Sequence, residues 1–135
     1  MTDVRAYLPA VPADLRALIE AGTLAAAGRM VCAVSPTLRT ATPRADDEER
    51  EDVAFVEAVA AAAQIADGSP RMVLAVDVPQ AAIAWSGRGA EGALTVGLVR
   101  RDLVSIHVDD TPGDQLARLS WYDATEAAHV LDNVS

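Results

Sequence analysis

The chain contains no lysine; all eleven of its basic residues are arginine. Without an ε-amino group there is no Schiff-base or pyridoxal chemistry, no lysine general base and no phosphate-loop lysine. Cysteine is almost absent as well. The single Cys32 excludes an internal disulfide, and one chain cannot assemble a thiolate-built zinc or iron–sulfur cluster from it. Aromatic residues are scarce, at two Trp, two Tyr and one Phe, and only two histidines are present. No apolar run approaches the roughly 18 residues that mark a membrane span. The start, Met1-Thr2-Asp3-Val4-Arg5, lacks a basic stretch followed by an apolar core, so no secretion signal is read there. These absences together predict a soluble protein that stays in a reducing cytoplasm.

What is present fits one globular domain spanning 1–135. About a fifth of the residues are alanine and 51% are hydrophobic. A chain of this length buries roughly two-thirds of the surface its unfolded form exposes, enough for a self-sufficient core. Twenty acidic residues against eleven basic ones leave a net charge of -9. Such a charge repels phosphate backbones and anionic bilayers at long range, so neither nucleic acid nor a membrane is an expected partner.

Val4, Ala6, Tyr7 and Leu8 read as a strand that stops at Pro9. Pro12 sits where a first helical turn tolerates proline, Leu15, Leu18 and Ile19 share one face, and Gly22 is a terminator; the spacing predicts a helix over 12–21. The apolar run 29–34 suits a strand buried on both faces. Ser35 can cap a short helical turn that Pro43 ends. Asp46 and Glu49 have capping-box spacing, and the carboxylates crowded behind them favour the positive end of a helix dipole. The alanine-rich stretch 53–66 continues that helix. Its apolar residues run nearly all round, which predicts a central, buried helix.

The segment 72–78 carries the strongest strand signal, closed by Pro79. Ala81 to Trp85 reads as a short strand, followed by a turn at Ser86-Gly87-Arg88-Gly89. Leu94, Val96, Leu98 and Val99 form a further strand, and so do Val104, Ile106 and Val108. The short link Arg100-Arg101-Asp102 implies a hairpin or tight bend between them. Asp123 and Glu126 repeat the capping-box spacing ahead of a terminal helix reaching about Leu131. This order predicts an α/β or α+β fold: a single mixed β-sheet of about five strands with two to three helices packed on it.

The residue types that carry chemistry are few. His107 and Asp109 fall on one face of a predicted strand end, with Ile106 and Val108 on the other, and Asp77 lies near the end of another strong strand. One imidazole with two carboxylates can act as an acid–base pair or hold a metal. The same residues serve equally as a structural ion pair at a sheet edge, and no His-x-x-x-His spacing supports a metal. Ser35 and Cys32 are nucleophiles by type only; no Gly-x-Ser-x-Gly elbow surrounds Ser35, and Cys32 in an apolar strand reads as core. Gly87, Gly89 and Gly92 fit a hairpin loop better than a phosphate cradle. Trp121 and Tyr122, beside Asp123 and downstream of the Asp109-Asp110 turn, form a binding surface or else lock the terminal helix onto the sheet.

Several segments in order resemble an uncharacterised family of small actinobacterial proteins, known only as a domain of unknown function. They are Arg5-Ala6-Tyr7-Leu8-Pro9-Ala10 with its following helix, Ala33-Val34-Ser35-Pro36, the acidic helix start at Asp46 to Glu49, 73–79, 104–110, and Trp121-Tyr122-Asp123. The resemblance spans nearly the whole chain. It implies a single cytoplasmic bacterial domain and carries no activity, cofactor or catalytic residue with it.

The leading functional expectation is therefore a non-catalytic module, without cofactor or bound metal, that works by association as a homo-oligomer or with another protein through Trp121, Tyr122, Asp123 and Asp110. Two alternatives stand beside it. One is a hydrolase-like enzyme, metal-dependent or acid–base, built on His107, Asp109 and Asp77; the other is a small-molecule sensor using the Trp85 region and the glycine-rich turn.

Overall fold

The computed structural model describes residues 3–109 and 119–134. The chain begins with β1 (Asp3–Ala10), α1 (Pro12–Glu20), β2 (Thr23–Leu24) and β3 (Met30–Ala33). Next come α2 (Pro36–Ala41), α3 (Asp47–Ile65), β4 (Met72–Pro79), β5 (Ile83–Trp85) and β6 (Glu91–Leu94). It closes with β7 (Leu98–Val99), β8 (Leu103–Val108), β9 (Ser120–Asp123) and α4 (Ala127–Val134). Seven strands form one sheet in the order β5-β6-β3-β1-β4-β8-β9, while β2 and β7 pair separately.

The class is α+β, and three expectations need correction. Every strand pairing is antiparallel, so the sheet is not mixed, and it has seven strands where about five were expected; four α-helices replace two or three. The segment expected as one strand near 94–99 divides in two: β6 ends at Leu94, and β7 leaves the large sheet to pair with β2. The turn Arg100–Asp102 is a corner between sheets and not a hairpin. Pro9 likewise fails to stop β1. The ladder to β3 ends at Tyr7, and beyond it Pro9 pairs only with Val73 of β4, so its missing N–H costs no second ladder bond.

Alternation along the strands builds two cores. Ala6, Leu8, Leu74, Val76, Ile106 and Val108 point to one face, where Leu15 and Leu18 of α1 and Val130 and Leu131 of α4 cover them. Fully buried side chains of this size contribute about 1.5–3 kcal/mol each. Tyr7, Cys32, Val73 and Ala75 point to the other face, under α3. That helix is capped by Asp46, whose carboxylate accepts the Glu49 N–H at 2.8 Å. It buries only the alanine stripe Ala54, Ala58 and Ala62, four residues apart, whose small side chains let the helix lie close to the strands. Val53, Val56 and Ile65 remain exposed. The expectation of a central helix therefore fails: α3 is a surface layer, resting mainly on β1, β3 and β4, with a cleft between it and the β8–β9 end of the sheet.

Candidate functional site

The uncovered strip between α3 and the β8–β9 end of the sheet is a cleft of ≈ 1090 Å³. Its walls are apolar: Phe55, Val56 and Val59 from the helix, Leu119 and Trp121 from the far side. Its floor is polar, because the period-two alternation that buries Ala6 and Ile106 turns Arg5, Tyr7, Ser105 and His107 to this face. Register brings these together: Tyr7 lies opposite Ala75 of β4, Ala75 opposite Ser105, and His107 opposite Trp121.

His107 is at the centre of the floor. Its Nε2 is 3.0 Å from Ser105 Oγ, and its ring is tilted against Phe55 at a centroid distance of 4.8 Å. Burial, with a smaller contribution from the Arg5 charge, pushes its pKa down to about 4. The imidazole is therefore neutral at pH 7, but as a base it is weak. Tyr7 stacks edge-on to Phe55 at 5.4 Å, and burial raises its pKa to about 12, so the phenol keeps its proton.

The two carboxylates that the sequence suggested for this histidine are engaged elsewhere. Asp77 is on the same sheet face, but it accepts Arg5 Nε at 2.6 Å and Arg5 Nη2 at 3.2 Å. Asp109 is buried and accepts Arg71 Nε and Nη2, each at 2.7 Å. Arg71 and its carboxylate partner hold each other so well that the acid stays ionised below its ordinary range. Neither acid is bonded to His107. Among the described residues no group of three or more His, Cys, Asp or Glu is placed to hold a metal ion.

Trp121 and Tyr122 separate to opposite faces of β9. Trp121 stands at the cleft rim, 61% exposed, whereas Tyr122 packs towards α4, its ring 6.4 Å from that of His129. Asp123 caps the terminal helical segment: its carboxylate accepts the Thr125 N–H at 2.9 Å and its own N–H donates to Glu126 Oε1. Asp110 lies outside the described residues. Ser35 is a cap, accepting from Leu38 N–H and donating to the Gly89 carbonyl. Cys32 is fully buried, and burial lifts its thiol pKa to about 12. Gly87 and Gly89, both at positive φ, lie between β5 and β6, as a hairpin loop requires.

Reading the sequence missed Arg5, Tyr7, Phe55 and Ser105 as cleft residues. The alternation Arg5-Ala6-Tyr7-Leu8 and Ser105-Ile106-His107-Val108 held the signal, since each places its polar members on one face. No sequence signal tells which helix covers that face.

Fold and cleft together define a class: an α+β domain built on an antiparallel sheet, with helices on both faces and one amphipathic cleft beside the outer helix. The chain belongs to the family of unknown function DUF6912, whose model matches residues 4–131. No curated protein matches the chain, and no solved structure matches it. Among the described residues no helix is long and apolar enough to cross a membrane.

Proposed function

We propose that this domain is a binding module whose working surface is the α3–β9 cleft and whose occupant is a small organic molecule. The observation that carries this reading is the composition of the cleft: apolar and aromatic walls over a floor of a few convergent polar groups, at a volume near the upper end of the range for ligand pockets. Binding is favoured over turnover because the groups that acid–base chemistry would use are committed or weak. Asp77 and Asp109 neutralise arginines, and among the described residues no carboxylate bonds His107 to orient it and raise its basicity. Cytoplasmic residence belongs to the same reading, supported by Cys32 as a buried free thiol.

The test is a screen of small metabolites and fragments against ¹⁵N-labelled protein. Occupancy of the cleft shifts the Trp121 indole N–H and the backbone amides of Tyr7 and His107 while leaving α1 and α4 unmoved. A broad library that moves none of these signals counts against the reading.

Association with a second copy or another protein is the second reading. Val56, 64% exposed, and Trp121 place two large apolar side chains at the mouth of the cleft, and tryptophan is enriched at interface centres. Light scattering after size exclusion decides it: a dimer that Trp121→Ser converts to a monomer supports association, and a wild-type monomer removes the self-association form.

A further inference from the structure

The charges on the floor of the cleft are closed among themselves. Arg5 gives Nε and Nη2 to Asp77, and Arg71 gives Nε and Nη2 to Asp109. Among the described residues that line the cleft, Asp52 is the one charged group outside these pairs, and it stands exposed on α3. What the floor offers is uncharged. His107 is neutral at pH 7, and its Nε2 and the Ser105 hydroxyl satisfy each other at 3.0 Å. Tyr7 is only 9% exposed, yet its hydroxyl takes no protein partner among the described residues. No fully buried side-chain oxygen or nitrogen there is left unsatisfied, so the phenol oxygen opens to the cleft that Tyr7 lines. Burial first, then the negative charges of Glu51, Asp52 and Asp77 acting against Arg5, keep the proton on that oxygen. The group left unanswered on the floor is thus an uncharged donor.

We infer that the ligand of this cleft is an uncharged carbonyl compound with an apolar body, its carbonyl oxygen accepting the Tyr7 hydroxyl proton and its body lying against Phe55, Val59 and Trp121. The inference rests on the binding-module reading and narrows it to one chemical class. A donor in a desolvated place needs an acceptor, and covering it without one carries a penalty, which counts against a pure hydrocarbon. A carboxylate does accept, but it brings a negative charge to a phenol on which Glu51, Asp52 and Asp77 already act, while both floor arginines are taken. An ammonium group has protons and no lone pair, so it leaves the phenol proton unanswered, and Arg5 on the same strand face repels it. Asp52 does little to hold such a cation, because an ion pair at an exposed carboxylate contributes little. A carbonyl oxygen alone answers the donor without burying a charge. The aromatic rings of Phe55 and Trp121 then receive the apolar remainder.

The experiment titrates ¹⁵N-labelled full-length protein with probes that share a phenylalkyl body: 5-phenylpentan-2-one, 4-phenylbutyrate, 4-phenylbutylamine and pentylbenzene. The ketone should bind about tenfold tighter than either charged probe, with shifts at Tyr7, His107 and the Trp121 indole, since an unpaired charge is costly to bury. Tyr7→Phe keeps the ring contact with Phe55 and removes only the hydroxyl. It should weaken the ketone about fivefold, the worth of one net hydrogen bond, and leave pentylbenzene within about twofold. If that variant fails to fold, the ranking of ketone, acid and amine on the wild type decides. Either charged probe binding in the cleft as tightly as the ketone overturns the inference. So does a Tyr7→Phe variant that holds the ketone unchanged, or one that loses ketone and hydrocarbon equally. Each of these results leaves the binding-module reading standing. Absence of cleft shifts with all four probes also overturns the inference, and only a wider screen that fails as well removes the broader reading.

Discussion

Asp109 and Arg71 grip each other through four hydrogen bonds. The carboxylate receives Arg71 Nε and Nη2 at 2.7 Å each and the Arg71 backbone N–H at 3.0 Å, while the Asp109 N–H donates to the Arg71 carbonyl at 3.0 Å. Arg71 immediately precedes β4 and Asp109 immediately follows β8, so this pair clamps the ends of two neighbouring strands. Breaking one side of a buried pair leaves an uncompensated charge, a loss of about 3 kcal/mol. Asp109→Asn should lower the free energy of unfolding by roughly that amount in urea titration. Because the folded carboxyl is held below its ordinary value of 3.8, the contribution is complete above that pH and disappears as pH falls through the folded value. An unchanged urea midpoint would show that the clamp contributes nothing net.

The His107 imidazole also gives up its proton on folding, but for a different reason: burial disfavours its charged form. Folded, it titrates at about 4 against an ordinary 6.5, because Phe55, Trp121 and the strand floor exclude water and Arg5 adds positive charge. Between those pH values the unfolded chain binds the extra proton, so stability rises with pH through this window and is lost as pH falls from 6.5 towards 4. Allowing for partial solvent contact, the effect is on the order of 2 kcal/mol. Comparison of wild type with His107→Gln isolates it: the wild-type stability curve should be the steeper one over that window. Parallel curves would mean that the folded imidazole titrates normally.

The main strands were legible because β4 and β8 carry unbroken apolar or alternating patterns, and α3 was legible because Asp46 and the carboxylates behind it mark a helix start. The sheet's strand number was not. Two-residue pairings such as Thr23–Leu24 with Leu98–Val99 contain too few residues to establish a period, and only tertiary contact selects them. The placement of α3 was misread because alanine counts as apolar on every face, while the packed face is chosen by closeness of approach, which the stripe Ala54, Ala58 and Ala62 permits. At the site, the sequence pointed to His107 and to Trp121, which register places opposite each other. Their neighbours Arg5, Tyr7 and Phe55 come from elements distant in the chain, and no local pattern joins them.

Cys32 illustrates a residue read correctly from its surroundings alone. It is fully buried on the α3 face of β3, and burial holds its thiol far above the pH at which thiolate forms readily. Native protein at pH 8 should give no thiol reaction with Ellman's reagent beyond the rate of global unfolding. In guanidinium one equivalent should react at once. A fast native reaction would show that β3 is accessible through local opening.

Gly92 is required by close packing and not by backbone conformation. It sits inside β6, paired with Val31 of β3 on one side and Trp85 of β5 on the other. A Cβ built there would lie 2.6 Å from Ile83 Cγ2, 3.1 Å from Trp85 Cε3 and 3.2 Å from the Ala84 carbonyl oxygen. Two of those atoms belong to side chains that can shift, whereas the carbonyl belongs to β5 itself. Relief therefore pushes β5 away from β6, at a cost typical of overpacking, about 1–3 kcal/mol. Gly92→Ala should lower the unfolding midpoint accordingly and speed amide exchange across Ile83–Trp85, because β5 is an edge strand whose one strand partner among the described residues is β6. Gly87→Ala, at positive φ with no atom within 4 Å of the added methyl, should also destabilise, by about 1 kcal/mol through backbone strain. It should leave exchange at β5 nearly unchanged. The two glycines thus differ in mechanism though they are five residues apart, and matching exchange profiles for the two variants would refute the packing account of Gly92.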